Sequence, residues 1–170
     1  MQIGLFIPCY IDQFYPKVGI ATLELLEKLG LEVYYPSEQT CCGQPLANSG
    51  AEDEAIQIYN KFVRIFSKFD YVVSPSGSCV YHVRENYNIL PQTDEVNRVR
   101  QNTFELCEFI VDILKTDDLK IVFPHKVGVH QSCHGLRGLK LGTPSELIME
   151  HYSKVHRLLK NAKGIEIINL

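Results

Sequence analysis

Apolar residues along the chain switch repeatedly between two spacings. Residues 3–8 form a short unbroken apolar run, the pattern of a strand covered on both faces. Val18, Ala21, Leu25 and Leu29 then recur at helical spacing, and Gly30 is placed to stop that helix. Residues 32–36 read as a second strand. Ser49-Gly50-Ala51-Glu52 has the form of a capping box. It predicts a helix with Ala55, Ile58, Tyr59, Phe62, Phe66 and Phe69 on its buried stripe. Residues 71–75 predict a third strand, and Ser76-Gly77-Ser78 turns the chain into a helix starting near Cys79.

Residues 88–93 read as a loop broken by Pro91. The longest helical pattern follows over residues 95–114, carried by Val96, Val99, Thr103, Leu106, Ile110 and Ile113. Residues 126–130 predict a further strand. Thr143-Pro144-Ser145-Glu146 predicts an N-capped helix with Ile148, Tyr152, Val155 and Leu159 on its inner stripe. Residues 164–169 predict a last strand. Strands and helices in alternation, joined by short loops, predict an α/β, Rossmann-like fold with a mainly parallel sheet flanked by helices. A weak internal echo runs through the chain: residues 4–9 resemble residues 128–133, and residues 31–36 resemble residues 164–169. The expected organisation is a first module over residues 1–115 and the start of a second over residues 116–170, its second half incomplete, packed as one α/β unit.

Composition narrows the function classes. The chain has 170 residues, a formal charge of −3 and 45% hydrophobic residues, enough to bury a real core. A pI near 6.1 argues against a nucleic-acid binder, which needs a basic face. No apolar run reaches the roughly 18 residues of a membrane span. Residues 1–11 lack the basic start of an export signal, so the expected compartment is the reducing cytoplasm. Six cysteines in this length fall well below the ~8–10% of disulfide scaffolds. In a reducing compartment such residues are buried thiols, metal ligands or redox groups.

Their positions carry the chemistry. Cys9 follows the first predicted strand, Cys41 and Cys42 the second, and Cys79 the third, spaced Cys9-x31-Cys41-Cys42-x36-Cys79. In a parallel sheet the strand C-termini share one edge, where open α/β proteins bind ligands. Structural zinc usually takes pairs such as C-x2-C, and common ferredoxin clusters take C-x2-C-x2-C. Neither pattern is present. Dispersed thiolates suit an iron–sulfur cluster better, and predicted helix starts near Ser49 and Cys79 favour their negative charge. Cys107 lies on an apolar helical stripe and reads as a buried thiol.

The ordered set of Cys9, Cys41-Cys42-Gly43-Gln44-Pro45, Asn48-Ser49-Gly50, Ser74-Pro75-Ser76-Gly77-Ser78-Cys79 and His130-Gln131-Ser132-Cys133 resembles the cysteine-rich CCG module. That module is found in heterodisulfide reductase subunits, in glycolate oxidase iron–sulfur subunits and in lactate utilisation. The likeness is greatest to the lactate-utilisation branch and covers essentially the whole chain. It implies a cytoplasmic iron–sulfur electron-transfer subunit of an oxidoreductase complex that oxidises L-lactate, or a related 2-hydroxy acid, to its keto acid. The implied partners are the other subunits, including a ferredoxin-like iron–sulfur protein. Carried over by position, Cys9, Cys41, Cys42 and Cys79 are the implied ligands of a [4Fe–4S] cluster, with zinc as the alternative metal. Cys133 would open a second module.

Two departures from the family pattern matter. Many CCG modules close on Cys-x-x-Cys, but Cys79-Val80-Tyr81-His82 places His82 there, one helical turn on, as a further candidate ligand. The chain also ends where a second Cys-Cys-Gly would be due. Two other function classes stay open: a zinc-stabilised interaction module without redox turnover, and a thiol enzyme using Cys133 with His130 or His134 as base.

Overall fold

The computed structural model describes residues 1–148 and 150–168. The chain divides into two compact units, Met1–Leu106 and Cys107–Leu170. The first holds a four-stranded sheet in the order β2-β1-β3-β4, built from β1 (Gln2–Leu5), β2 (Glu32–Tyr34), β3 (Tyr71–Ser74) and β4 (Thr103–Glu105). All its pairings are parallel, with Ile3 opposite Val33, Gly4 opposite Val72, and Val73 opposite Phe104. The α/β parallel architecture expected from the alternating pattern is the one found.

Between β1 and β2 run α1 (Cys9–Phe14) and α2 (Pro16–Lys28), which Gly30 ends at φ 81° as its position suggested. Between β2 and β3 run α3 (Gln44–Asn48) and α4 (Glu52–Phe66); between β3 and β4 run α5 (Gly77–Asn86) and α6 (Asp94–Asn102). One core cluster joins Phe6 and Val72 of the sheet to Tyr59, Phe62 and Phe66 of α4, with Val83 of α5 and Val99 of α6. A Cβ on Gly4 would meet the ring of Phe69 at 2.5 Å, so bare backbone lets this aromatic layer lie flat on β1. Ile3 and Leu5, which alternate with these residues, are buried outside that cluster, as is Leu26 of α2.

Three local expectations are corrected. The helix expected over residues 95–114 is interrupted at Asn102, and Thr103–Glu105 joins β3 as a sheet edge. Helical spacing cannot reveal the ladder bonds that β3 offers, and Thr103 is fully buried with its hydroxyl donating to the Val99 carbonyl (2.6 Å). The chain then continues through α7 (Leu106–Glu108) into a π-helical stretch, Phe109–Ile113. Ser49 does not open α4. It closes α3, its hydroxyl donating to the Leu46 carbonyl (2.8 Å). Nor does a helix start at Thr143. Thr143 instead donates its N–H to the Tyr152 carbonyl (2.8 Å) and accepts the Tyr152 N–H at its hydroxyl (3.3 Å), and Glu146 pairs with Arg137. The helix α8 (Lys154–Lys160) begins later, where Ser153 Oγ accepts the His156 N–H (3.2 Å). Met149 and Asn169, which fall inside two of the expected elements, lie outside the described residues.

The second unit carries a two-stranded parallel sheet, β5 (Lys126–Gly128) with β6 (Glu166–Ile168), Val127 opposite Ile167. Lys154 reaches Asp112 at 2.5 Å, and Arg157 reaches Asp117 at 2.7 Å. Among the described residues, no helix is long and apolar enough to cross a membrane.

The aromatic layer sets the stability of the first unit. Phe62 stacks edge-on to Phe6 at 4.8 Å and packs on Phe66 at 4.5 Å. Phe62→Ala is expected to cost about 3–5 kcal/mol in urea unfolding, against less than about 0.5 kcal/mol for Phe14→Ala, whose ring is exposed. Equal losses for the two would refute this placement of the core.

Candidate metal centre

The order β2-β1-β3 makes β1 and β3 neighbours whose outgoing chains lead to different places. The chain from β1 turns toward the β2 edge, and the chain from β3 toward the β4 edge. Such a divergence opens a crevice at the C-terminal edge of the sheet. Cys9 is the first residue of α1 and Cys79 lies in the first turn of α5, so both flank this crevice. Cys41 and Cys42 stand in the loop that leads from β2 into α3.

The four sulfurs meet as a row. Cys9 Sγ lies 3.4 Å from Cys41 Sγ. The Cys42 thiol hydrogen-bonds to both Cys41 and Cys79. Exposure falls along the row: Cys9 is exposed, Cys41 half-buried, and Cys42 and Cys79 buried. Among the described residues, no group of three or more Cys, His, Asp or Glu side chains is placed to hold a metal ion. What the structure shows is a row of interacting sulfurs, with Cys9 and Cys41 in contact.

Those protons are unevenly held. The hydrogen bond from Cys42 pulls the Cys41 thiol down to about 5, outweighing partial burial, and the Gly43 N–H and Cys9 add to it. The Gly43 nitrogen stands 3.4 Å from the Cys41 sulfur. Cys79 is lowered too, first by the Cys42 thiol and then by Ser76 and Ser78. Cys42, donor to both neighbours and buried besides, is raised. Burial first, then its contact with Cys41, raises Cys9 to about 11. Raised and lowered groups therefore alternate along the row, which disfavours charge on neighbouring sulfurs.

Beneath the cysteine pair lies a buried aromatic floor. The Tyr87 hydroxyl donates to the Cys42 carbonyl (3.1 Å), and its ring lies 4.3 Å from that of Tyr59. Tyr59 Oη shares a hydrogen bond of 2.9 Å with His82 Nε2. His82 is 2% exposed, so the imidazole expected as a candidate ligand sits in this floor with Nε2 engaged by Tyr59. Gly43 takes φ 87°, and a Cβ there would stand 2.5 Å from Tyr59 Cε1. Only glycine satisfies both demands, which is the physical content of the Cys-Cys-Gly triplet.

Sequence reasoning passed over several supports. Gln39 ties the crevice together: its Oε1 accepts the Ile7 N–H (2.8 Å), and its Nε2 donates to the Leu5 and Pro36 carbonyls (3.1 and 3.0 Å). That clamp joins the chain leading to Cys9 with the loop leading to Cys41. A lone glutamine in a loop carries no such signal. Tyr59 was legible only as a core residue, and Tyr87 not at all. Ser74 closes β3 fully buried, and its hydroxyl has no partner. Alternation places it on the same sheet face as Val72, which belongs to the cluster holding Cys42 and Cys79. An orphaned buried hydroxyl on the sheet face that packs against Cys42 and Cys79 fits a bound group that offers an acceptor.

The remaining candidates belong to the second unit. Cys133 is exposed and precedes a π-helical turn, His134–Gly138, whose Arg137 guanidinium lies 3.9 Å from its sulfur. His130 and His134 flank it in sequence. Cys107 is half-buried in α7 rather than fully buried.

A parallel α/β sheet that gathers dispersed cysteines around a Cys-Cys-Gly turn defines a cysteine-rich module, and residues 3–84 match the family described as Cysteine-rich domain, CCG. Relatives over the whole chain carry the name Lactate utilization protein A. The Geobacillus kaustophilus protein is 41% identical over all of this chain and 69% of its own length. That of an Exiguobacterium species is 44% identical over 91% of this chain and 69% of its own, and that of Bacillus velezensis is 39% identical over all of this chain and 69% of its own. The chain belongs to the lactate utilization protein A family of CCG cysteine-rich proteins.

Gly43→Ala tests the turn. It is expected to lose at least about 2 kcal/mol of stability, from the left-handed backbone and the collision with Tyr59. Gly50, also at positive φ but with open space around it, should lose less on the same change. A Gly43→Ala protein as stable as wild type would show that the turn is not constrained as described.

Proposed function

We propose that this protein is a cytoplasmic iron–sulfur electron-transfer subunit of a multi-protein system that oxidises L-lactate to pyruvate, with Cys9, Cys41, Cys42 and Cys79 as the ligands of a [4Fe–4S] cluster. The observation that carries the proposal is the meeting of these four thiols, from three distant segments, at the crevice where the sheet topology diverges. Family membership supports the pathway, since the relatives carry the name Lactate utilization protein A. Soft thiolates favour iron–sulfur clusters and zinc over harder cations.

Bound there, the cluster would accept and release single electrons. The chain's own residues would do the rest. Cys41 and Cys79, both lowered by their neighbours, would give up their protons to a bound group more readily than Cys9 and Cys42. The proton that Cys42 shares with both would leave on loading. Burial of Cys42 and Cys79 keeps water from the inner side, and the Gly43 N–H supports the Cys41 sulfur. N–H donors to sulfur and a dry surrounding are what set the potential of such centres. Tyr87 would act by fixing the Cys42 carbonyl from below, with His82 holding the neighbouring Tyr59 hydroxyl. The exposed Cys9 edge is the side open to electron partners. A second CCG-like module is read as beginning near residue 116, because β5 pairs with β6 in the parallel manner of β1 with β2 and Cys133 follows β5 as Cys9 follows β1.

Oxygen-free purification with metal and acid-labile sulfide analysis tests this reading. Iron and sulfide are expected in the wild type, lost in Cys41→Ser and Cys79→Ser, and retained in Cys107→Ser. The EPR signal of the reduced protein should disappear in the same two variants. One tightly held zinc with neither iron nor sulfide would overturn the redox role in favour of a zinc-stabilised interaction module.

A further inference from the structure

The row of sulfurs is unequal in reach as well as in protonation. Cys9 and Cys41 are 3.4 Å apart at its exposed end, while Cys42 and Cys79 are buried. A disulfide needs its sulfurs at about 2.05 Å with the side-chain dihedral near ±90°. Two sulfurs already in van der Waals contact reach that by a rotation of the exposed Cys9 side chain. The competing pairs are worse placed. Bridging the adjacent Cys41 and Cys42 would twist the peptide between them, while the next peptide is held by Tyr87 at the Cys42 carbonyl and leads into Gly43 at positive φ. Cys42 and Cys79 are shielded from any dissolved oxidant.

We propose that Cys9 and Cys41 form an oxidation-sensitive pair: in protein free of bound metal, a small dissolved disulfide such as oxidised glutathione closes them into an intramolecular disulfide. The exposed Cys9 sulfur loses its proton to solvent and attacks one glutathione sulfur. The glutathione S–S bond breaks, one glutathione leaves as thiolate, and Cys9 carries the other as a mixed disulfide. The Cys41 sulfur then gives up its proton and attacks the Cys9 sulfur 3.4 Å away, the mixed disulfide breaks, and the second glutathione leaves. The two cysteines together give up two electrons and two protons, and oxidised glutathione becomes two glutathione thiols. Thiol reductants run the exchange backwards. The bond removes both sulfurs of the accessible half of the row, so the pair acts as a lock on metal loading. This last consequence rests on the proposed ligand role of Cys9 and Cys41; the bond itself does not.

The test uses the full chain, stripped of metal with a chelator and exposed to oxidised glutathione. Peptide mapping under non-reducing conditions is expected to show a Cys9–Cys41 cross-link within one chain, with the mass of two hydrogens lost and circular dichroism unchanged. Cys41→Ser should instead retain a stable glutathione adduct on Cys9, and Cys107→Ser should behave as wild type. Cross-links at Cys41–Cys42, at Cys42–Cys79 or between chains would overturn the proposal, as would an unresolved adduct on Cys9 in the wild type. Loading is then read separately by oxygen-free incubation with iron and sulfide. The oxidised protein should bind neither until dithiothreitol is added. If the Cys9–Cys41 bond forms but loading is undiminished, the lock and the ligand role of these two residues both fall, while the disulfide chemistry stands.

Discussion

Parallel pairing of β1 with both β2 and β3 is the constraint from which the site follows. Each pairing aligns strand directions, so every strand ends on the same edge of the sheet. Because β1 and β3 are neighbours but their chains depart toward opposite edges, a gap stays open between their ends. Cys9 and Cys79 stand at the first turns of the two departing helices. An antiparallel β3 would carry Cys79 to the far end of the sheet, some strand length away, and no rearrangement of loops would return it.

Once gathered, four thiols in contact are an electrostatic problem. Adjacent thiolates repel, and burial penalises each charge further. The protein relieves this by raising Cys9 and Cys42 while their hydrogen bonds lower Cys41, and that of Cys42 lowers Cys79. Backbone N–H groups help because the Cys-Cys-Gly turn aims them at sulfur. Under the proposed function, a bound cation would take over the work of these hydrogen bonds. The arrangement also explains why the site is supported so rigidly below, by Tyr87 on the Cys42 carbonyl and by Gln39 spanning the two converging segments. A looser frame would let the sulfurs separate and relieve the repulsion without a metal.

The gradient of exposure along the row gives its two ends different duties. The inner pair is packed into the aromatic core, where motion is costly and water is excluded. The outer pair, Cys9 and Cys41, meets solvent. The proposed electron exchange and the proposed oxidative chemistry alike need access, so both would fall at that end.

The chain's hydrophobic periods by themselves determined the α/β class, the parallel sheet and the strand-end positions of Cys9, Cys41, Cys42 and Cys79, because two-residue and 3.6-residue repeats and Gly stops are local properties. The need for Gly43 was legible as a turn, though its reason, the Tyr59 ring, was not. Only the tertiary structure decided the rest. β4 exists because β3 offers it a ladder, although Thr103–Glu105 continues a helical spacing. Ser49 faces back to Leu46, and Thr143 bonds across to Tyr152, so capping patterns that look alike in sequence end, start or avoid helices according to what packs nearby. The proton order of the cysteines, the Gln39 clamp and the unpartnered Ser74 hydroxyl all depend on distances between segments remote in the chain. Spacing along a sequence does not encode those distances; the sheet topology does.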